Sequence, residues 1–304
     1  QFCDYSHAFR LREGHQVSVI YWEGDPAGLL VHLTGLCRPD SGNMTVTNYG
    51  KKPRRGVRCL LFDLDDCLYR AEEVPRACRA AIERYMVEHL GISKDKVSAL
   101  TSELYLKYGT TMAGLAATGY KIDYDAWHEA VHHKAIDYHH LLHPDVLLRE
   151  ILCSIDLPKY VLTNADRKHA EICLARMGIT DCFQGVFHFE WVNESAAKHG
   201  LLSPSHPVMC KPLPKTYELV LEAIGCDARE VIFFDDSARN VQAAHELGLM
   251  TVCVGREEPL PGADLVVASL HQLPSLLPEL FDQPGLVRDG HHGAGSDLVV
   301  AVEL

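Results

Sequence analysis

The sequence lacks any apolar run of the roughly 18 residues that a membrane-spanning helix needs. The best candidate, 17–36, is interrupted by Glu23, Asp25 and Pro26. The sequence also lacks an excess of positive charge, since 29 Lys and Arg residues stand against 41 Asp and Glu residues, for a formal net charge of −12. An acidic protein repels a phosphate backbone, so we expect neither nucleic-acid nor membrane partners. A small anionic substrate stays possible because a bound cation reverses the local field.

No two of the 11 cysteines have C-x-x-C spacing, and their number is odd. This pattern favours neither a disulfide framework nor a zinc site. A reducing compartment is the simpler interpretation, and we expect a cytoplasmic protein, with the nucleus or an organelle left open. Because the chain begins with Gln1 rather than Met, we expect a fragment or a processed form. The oligomeric state is not indicated by any pattern in the sequence.

Strand and helix patterns alternate over most of the chain after residue 56. Short apolar runs predict buried strands at 57–62, 160–162, 185–189, 231–234, 251–254 and 265–267. Helical patterns separate most of them, for example 168–177, 213–224 and 239–247. Glycines that are typical of helix ends follow these helices, namely Gly178, Gly225 and Gly248. The alternation predicts an α/β fold with a Rossmann-like parallel sheet.

One segment interrupts this alternation. Residues 72–145 contain helical patterns and no convincing strand, so we predict a small helical cap inserted after the first strand. The catalytic core is then formed by 56–71 together with 146–283. We expect 1–55 to be an irregular N-terminal extension and 284–304 to be a tail.

Polar residues follow three of the predicted strands: Asp63 and Asp65 the first, Thr163 and Asn164 the second, Asp235 and Asp236 the fourth. Ligands bind outside the carboxyl ends of the strands in an open parallel sheet, so these groups should converge. Several carboxylates within a few ångströms repel one another and raise one another's pKa values. Mg²⁺ relieves this repulsion, prefers carboxylate oxygens and is commonly completed by a substrate phosphate. The sequence therefore predicts a Mg²⁺ site and, through it, a phosphoryl group.

The same residues suggest a reaction. Attack by Asp63 on a phosphate gives an aspartyl-phosphate intermediate. If the chain turns after Asp63, Asp65 reaches the same site and acts as general acid and base. Lys211, which precedes Pro212, can hold the nucleophile and the phosphoryl group by its charge. Thr163 can hydrogen-bond the phosphoryl oxygens, and Asn164 is assigned with it to phosphate binding.

Four motifs in this order resemble the haloacid dehalogenase-like (HAD) hydrolase superfamily: Asp63-Leu64-Asp65, Thr163-Asn164, Lys211 and Asp235-Asp236. The resemblance implies a Mg²⁺-dependent phosphatase with Asp63 as nucleophile and metal ligand. It implies Asp65 as general acid and base and, through its backbone carbonyl, as a second ligand. Asp236 is implied as a direct ligand, whereas Asp235 binds directly or through water. Dehalogenases of this superfamily lack the second acid of the first motif, so Asp65 favours a phosphatase.

A narrower resemblance concerns the substrate. Strings similar to those of the pyrimidine 5′-nucleotidase branch are Asp66-Cys67-Leu68-Tyr69, Tyr108-Gly109-Thr110-Thr111, Thr163-Asn164-Ala165-Asp166-Arg167 and Cys210-Lys211-Pro212. They imply hydrolysis of UMP and CMP, in pyrimidine nucleotide metabolism. The alternatives are a phosphatase acting on a sugar phosphate or a lysophospholipid and, from a different class, a non-catalytic regulatory protein with the same fold.

Several further residues have two interpretations. Five histidines of the predicted cap are interpreted as a solvated helical face rather than a metal site: His132, His133, His139, His140 and His143. Cys67 is predicted to be a packing residue and Asn240 to support the metal loop. Thr110 either touches the substrate or marks a helix break, and Arg167 either reaches the substrate or stabilises its own loop.

Overall fold

The computed structural model describes residues 56–281, so the predicted N-terminal extension and tail lie outside the described residues. Its six strands are β1 Cys59–Phe62, β2 Lys159–Leu162, β3 Gly185–Phe187, β4 Val231–Asp235, β5 Met250–Val254 and β6 Leu265–Val267. They form one sheet in the order β3-β2-β1-β4-β5-β6, in which every neighbouring pair is parallel. The chain order reverses between β1 and β4, which is where such sheets bind ligands. The predicted α/β fold with a Rossmann-like sheet is confirmed.

Helices connect the strands: α1 Glu73–Glu88, α2 Lys94–Tyr108, α3 Thr111–Ala117, α4 Tyr124–His128, α5 Tyr138–Leu141, α6 Val146–Cys153, α7 Arg167–Met177, α8 Phe189–Lys198, α9 Pro214–Ile224, α10 Ala238–Leu247 and α11 Leu273–Leu276. A π-helix, Glu129–His133, follows α4 directly, and short 3₁₀ turns lie at Thr180–Cys182, Ala228–Glu230, Leu270–Gln272 and Pro278–Leu280. Within 56–281 no helix is both long and apolar enough to cross a membrane.

The side chains of β1 show why the sheet is covered on both faces. Leu60 and Phe62 belong to a hydrophobic cluster with α6, α7 and α11, whereas Cys59 and Leu61 belong to a cluster with α8, α9 and α10. All four residues are at most 1% exposed. Burying one aliphatic or aromatic side chain of this size stabilises a fold by roughly 1.5–3 kcal/mol. The continuous apolar run thus fixes β1 in the middle of the sheet.

The strand predicted at 185–189 is two residues too long. β3 ends at Phe187, because His188 begins the next element: its Nδ1 accepts a hydrogen bond from the Trp191 N–H at 3.4 Å and caps α8. A polar cap within an otherwise apolar run therefore ends the strand.

Helices α1 to α5 and the π-helix all lie between β1 and β2, and we define this part as the helical insertion. It has its own hydrophobic cluster, which includes Met86, Leu104, Leu115 and Trp127. Phe189 and Cys210, from the part that carries the sheet, pack into the same cluster. The residue limits given above for cap and core stay predictions.

Candidate active site

The carboxyl ends of β1 and β4 bring two carboxylates onto one lysine. The Asp63 N–H donates to the Phe234 carbonyl at 2.8 Å, which continues the ladder between the two strands, and Asp235 is the last residue of β4. The Lys211 Nζ lies 2.6 Å from Asp63 Oδ1 and 2.8 Å from Asp235 Oδ2. Lys211 is 1% exposed, Asp235 0% and Asp63 7%. The three residues form a buried ion-pair network at the point where the strand order reverses.

Charge in this network is not balanced. Burial raises the pKa of Asp63 well above its usual value, with Lys211 opposing this and Asp235 adding to it. Burial alone would lower the pKa of Lys211, but the carboxylates of Asp235 and Asp63 outweigh it and raise that pKa. Burial and the charge of Asp235 raise the pKa of Asp236 to about 7. One lysine therefore faces three carboxyl groups, and Asp236 is the one that has no strong cationic partner in the network.

These three carboxyl groups fit a magnesium ion. One oxygen each from Asp63, Asp235 and Asp236 lie within 4.8 Å of one another. Mg²⁺ is a hard cation that takes carboxylate oxygens and water, and a positive ion relieves the repulsion that raises these pKa values. The oxygen-only donor set does not favour a softer metal.

Asp235 is held by four hydrogen bonds from three donor groups. Its Oδ1 accepts from the Ser237 N–H at 2.8 Å and from Asn240 Nδ2 at 3.0 Å. Its Oδ2 accepts from Lys211 Nζ at 2.8 Å and from Asn240 Nδ2 at 3.1 Å. The contact of Asn240 with this carboxylate agrees with the supporting position predicted for it. Because both oxygens of Asp235 are occupied, Asp236 has the freer carboxylate.

The side-chain amide of Asn164 makes two hydrogen bonds to the backbone of Lys211. Asn164 Oδ1 accepts from the Lys211 N–H at 2.8 Å, and its Nδ2 donates to the Lys211 carbonyl at 3.1 Å. Gly109 lies against the same carbonyl, with φ at +91° and no room for a side chain, since a Cβ there would be 2.4 Å from the oxygen. The Lys211–Pro212 peptide bond is cis. Asn164 and Gly109 thus fix the position of the lysine.

A cavity of about 220 Å³ opens over this network. The predicted site residues that line it are Asp63, Asp65, Thr163, Asn164, Lys211 and Asp236, and Tyr105, Gly109 and Thr110 of the helical insertion also line it. Thr163 follows β2 and is 2% exposed, and its Oγ1 accepts from the Ala165 N–H at 3.1 Å. Thr110 caps α3, so it marks a break between helices, and it also lines the cavity, where its contact with a substrate stays a prediction. Cys67 is buried in the hydrophobic cluster, as predicted.

Asp65 is turned toward two residues that the sequence did not indicate. Its Oδ1 lies 2.8 Å from His169 Nε2 and also accepts a short hydrogen bond from the Tyr69 hydroxyl. Burial would raise the pKa of Asp65, but His169 and Tyr69 lower it to about 2. Burial would lower the pKa of His169, but Asp65 raises it well above its usual value. The two side chains therefore form a carboxylate–imidazolium pair beside the cavity.

The predicted solvated histidine face is wrong for two of its five members. His132 Nδ1 lies 2.6 Å from Asp166 Oδ2 and His133 Nε2 lies 2.7 Å from Asp166 Oδ1. Their side chains are only 15% and 12% exposed. The physical reason is the π-helix, which turns this stretch toward the loop after β2. Exposure agrees with the prediction for the other three histidines, His139, His140 and His143.

The prediction also missed His128, which is 5% exposed and adjoins the same carboxylate. A signal was present in the sequence, because His128 and His132 stand four residues apart with Glu129 between them, the H-E-x-x-H spacing of two metal-binding histidines on a helix. Arg167 is exposed and lines a different cavity from the one over Asp63.

Comparison with known proteins agrees with this fold. A family model described as haloacid dehalogenase-like hydrolase matches residues 57–248. Phosphate metabolism protein 8 of Saccharomyces cerevisiae is 25% identical over an alignment of 206 residues that covers 65% of this chain and 61% of that protein. The chain thus spans about three fifths of the length of this relative.

Two solved structures are similar over nearly their whole length. The HAD-hydrolase YfnB from Bacillus subtilis, bound to magnesium, is 18% identical, with a TM-score of 0.48 over 73% of this chain and 99% of that one. A HAD phosphatase from Thermococcus onnurineus is 20% identical, with a TM-score of 0.46 over 72% and 97%. Since the family model covers more than half of the sequence, the chain belongs to the haloacid dehalogenase-like hydrolase family.

Proposed function

We propose that the chain is a Mg²⁺-dependent phosphatase that hydrolyses phosphate monoesters through an aspartyl-phosphate on Asp63. The observation that carries this proposal is the buried network in which Lys211 contacts both Asp63 and Asp235. A nucleophilic carboxylate must be ionised, and burial opposes ionisation. The ammonium at 2.6 Å favours the ionised form and offers a positive charge to the incoming phosphoryl group.

The proposed reaction has two steps. In the first, an oxygen of Asp63 forms a bond to phosphorus, the bond to the ester oxygen breaks, and that oxygen takes a proton from Asp65. In the second, water attacks phosphorus and gives a proton to Asp65, the bond to Asp63 breaks, and inorganic phosphate leaves. Thr163 and Lys211 hold the phosphoryl oxygens throughout. Mg²⁺, when bound by Asp63 and Asp236, neutralises negative charge on the phosphoryl group.

The metal contacts of Asp235 follow from its hydrogen bonds. Three donor groups already make four hydrogen bonds to its two oxygens, whereas Asp236 lines the cavity and has the freer carboxylate. We therefore infer that Asp236 binds the ion directly and that Asp235 acts through water. The backbone carbonyl of Asp65 would be a further ligand, as the family resemblance implies. Asn164, whose amide is engaged with the backbone of Lys211, acts by positioning that lysine.

Asp65 needs a proton source for the first step, because its lowered pKa keeps it ionised at neutral pH. The imidazolium of His169, at 2.8 Å, is the adjacent source. Asp65 accepts a proton from His169 across their hydrogen bond, and it then turns toward the leaving oxygen and donates the proton there. In the second step, the proton that Asp65 takes from water returns to His169. The pair then works as one acid and one base over the two steps.

For the substrate we propose a pyrimidine nucleoside 5′-monophosphate, UMP or CMP. The sequence resemblance to that branch motivates this, and Tyr105 supports it. Tyr105 is 46% exposed, lines the cavity, and has the Arg239 guanidinium 4.3 Å from its ring centroid. An aromatic face beside a phosphate site can stack a nucleobase. We further propose a cytoplasmic location, supported by the nine described cysteines, all of which are free thiols.

Phosphate release tests the proposal. The substrates are UMP, CMP, purine monophosphates, sugar phosphates and a lysophospholipid, each with and without Mg²⁺. Asp63→Asn should lower the rate by ~10³-fold or more, whereas Asp95→Asn, which changes an exposed carboxylate on α2, should not change it. UMP and CMP should be hydrolysed well above the rest. If phosphate is released from another monoester with the same dependence on Asp63, the proposed mechanism stands and the nucleotide substrate is wrong. If phosphate is released from no substrate, the result favours a non-catalytic regulatory protein.

A further inference from the structure

A second set of metal-binding side chains lies where the helical insertion meets the loop after β2. One donor atom each from His128, His132 and Asp166 lie within 4.8 Å of one another. The set contains two imidazoles and one carboxylate, whereas the network around Asp63 offers oxygen alone. It shares no residue with that network.

The backbone explains how these donors meet. α4 ends at His128, and the chain continues as a π-helix through His133. Hydrogen bonds in a π-helix join residues five apart, so the turn is wider than in an α-helix, and such turns are frequent at functional sites. With this geometry His132 and His133 both reach the Asp166 carboxylate, at 2.6 and 2.7 Å, and His128 Nδ1 lies 3.5 Å from its Oδ2.

His128 is the side chain that the remaining contacts do not explain. It is 5% exposed, and neither of its ring nitrogens has a hydrogen-bond partner within 56–281. Its ring lies 4.7 Å from the Phe189 ring and 5.5 Å from the His132 ring, centroid to centroid. A buried polar group left without a hydrogen bond costs roughly 1–3 kcal/mol. Burial, aided by His132, lowers the pKa of His128 to about 4, so the ring is neutral and has a free lone pair.

We propose that His128, His132 and Asp166 bind a divalent transition-metal cation of the Zn²⁺ type. Two imidazole nitrogens with one carboxylate oxygen form a ligand set that suits zinc and not magnesium. The cation takes the place of the proton in the hydrogen bond between His132 and Asp166, and it gives His128 the partner that it lacks. His133, held between Asp166 and Glu129, orients the carboxylate.

The surroundings allow a cation to enter. A cavity of about 310 Å³ opens beside the group. Its lining consists of His128 and His133, of the acidic residues Asp125, Glu129, Asp166 and Glu190, and of the basic residues Arg167 and Lys168. The acidic side chains outnumber the basic ones, which favours the approach of a cation. In metalloproteases the Glu of an H-E-x-x-H motif acts as the general base. Glu129 instead contacts His133 Nδ1 at 2.9 Å, so we interpret the group as a metal-binding site and not as the active site of a peptidase.

The site joins two parts of the fold. Two ligands come from the helical insertion, whereas Asp166 caps α7, with its Oδ1 accepting from the His169 N–H at 3.0 Å. Bound metal therefore links the insertion to the loop that carries Thr163 and Asn164. We expect the cation to raise the thermal stability of the whole described part of the chain.

A zinc titration of the full chain tests the proposal without any measurement of activity. The protein is stripped with a chelator and titrated with Zn²⁺ against a chromogenic competitor, in excess Mg²⁺ so that the carboxylates around Asp63 are occupied. We expect one zinc per chain. His128→Gln and His132→Gln should each weaken binding by ~10-fold or more, whereas His139→Gln, at an exposed position, should leave it unchanged.

His128→Gln should fold like the wild type, because the His128 side chain makes no hydrogen bond in the described part of the chain that the change would remove. Without metal, its midpoint of thermal denaturation should therefore stay close to that of the wild type. Zn²⁺ should raise this midpoint in the wild type and not in His128→Gln. The proposal is overturned if no zinc binds in excess Mg²⁺, or if His128→Gln binds zinc as tightly as the wild type. Loss of zinc binding in Asp63→Asn would instead assign the ion to the other site and would equally overturn it.

Discussion

Replacing Lys211 by methionine should expose how the carboxylates around it are stabilised. Lys211→Met keeps much of the side-chain volume but removes the charge from between Asp63 and Asp235. Breaking a buried ion pair by removing one partner costs ~3–5 kcal/mol, because the other partner stays buried and unpaired. Since 1 kcal/mol corresponds to ~2–4 °C for a domain of this size class, the midpoint of thermal denaturation should fall by roughly 6–20 °C at neutral pH.

The loss should depend on pH in one direction. The pKa of Asp63 is already raised by burial with Lys211 present, and it rises further without it. A carboxyl group whose folded pKa exceeds its unfolded value binds more protons in the folded state between the two values. The free energy of unfolding therefore falls as pH rises through that window, by up to ~1.36 kcal/mol per pH unit. Below the unfolded value, 3.8, both states are protonated and this part of the loss disappears.

Lys159→Met is the matched control. Lys159 is buried too, at 6% exposure, but it lies at the opposite end of the sheet, and its Nζ donates to the carbonyls of Ile155 and Leu157 at 2.6 and 2.9 Å. Its loss should destabilise the fold by ~1–3 kcal/mol without added dependence on pH or Mg²⁺. Mg²⁺ should recover part of the stability of Lys211→Met alone, because it supplies positive charge to the same carboxylates.

Thermal and urea denaturation followed by circular dichroism, from pH 4 to pH 8 and with or without Mg²⁺, measures both variants. The electrostatic reasoning is refuted if Lys211→Met loses less than ~1 kcal/mol at pH 7, below the usual cost of a broken buried pair. It is equally refuted if the loss is the same at both ends of the pH range, or if Mg²⁺ stabilises the two variants alike.

Two further changes test the packing of the site and its acid. Gly109→Ala should cost ~1–3 kcal/mol more in urea denaturation than Gly119→Ala, since both have φ near +90° but only Gly109 would place its Cβ 2.4 Å from a backbone carbonyl oxygen, and equal losses would contradict this. Tyr69→Phe removes a donor that lowers the pKa of Asp65, so this pKa, followed by carbon-13 NMR of the Asp65 carboxyl group, should rise. An unchanged pKa would show that this hydroxyl does not act on the acid.

The fold was largely predictable because its signals are local. Apolar runs of three to six residues marked the buried strands, and Gly178, Gly225 and Gly248 do end their helices, with φ of +71°, +66° and +98°. Sheet order was not predictable in the same way, since β1 pairs with β4 across more than 160 residues of sequence. The end of β3 was misplaced because a cap at His188 acts through one side chain, which an apolar pattern does not register.

The candidate site, like the fold, has residues that local sequence signals predicted and residues that they did not. Residues at strand ends converge because parallel strands deliver them to one edge, so Asp63 and Asp235 could be grouped from the sequence alone. Lys211, which does not follow a strand, was grouped with them by the order of the motifs. The partner of Asp65 could not, because His169 lies 104 positions away on the buried side of α7. The burial of His132 depends on a π-helical turn, and neither composition nor helical periodicity distinguishes such a turn from an α-helix.

The carboxylates of the candidate active site differ in whether a basic side chain of the protein is paired with them. Asp63 and Asp235 share Lys211, and Asp65 has His169, so each of these carboxylates has a cation of the protein's own. These pairs offset part of the negative charge of the site. Asp236 is the exception, and the rise of its pKa to about 7 reflects burial beside Asp235. Asp66 also lines the cavity, but Asp236 is the carboxylate with an oxygen within 4.8 Å of those of Asp63 and Asp235, and this is why we assign the direct metal contact to Asp236.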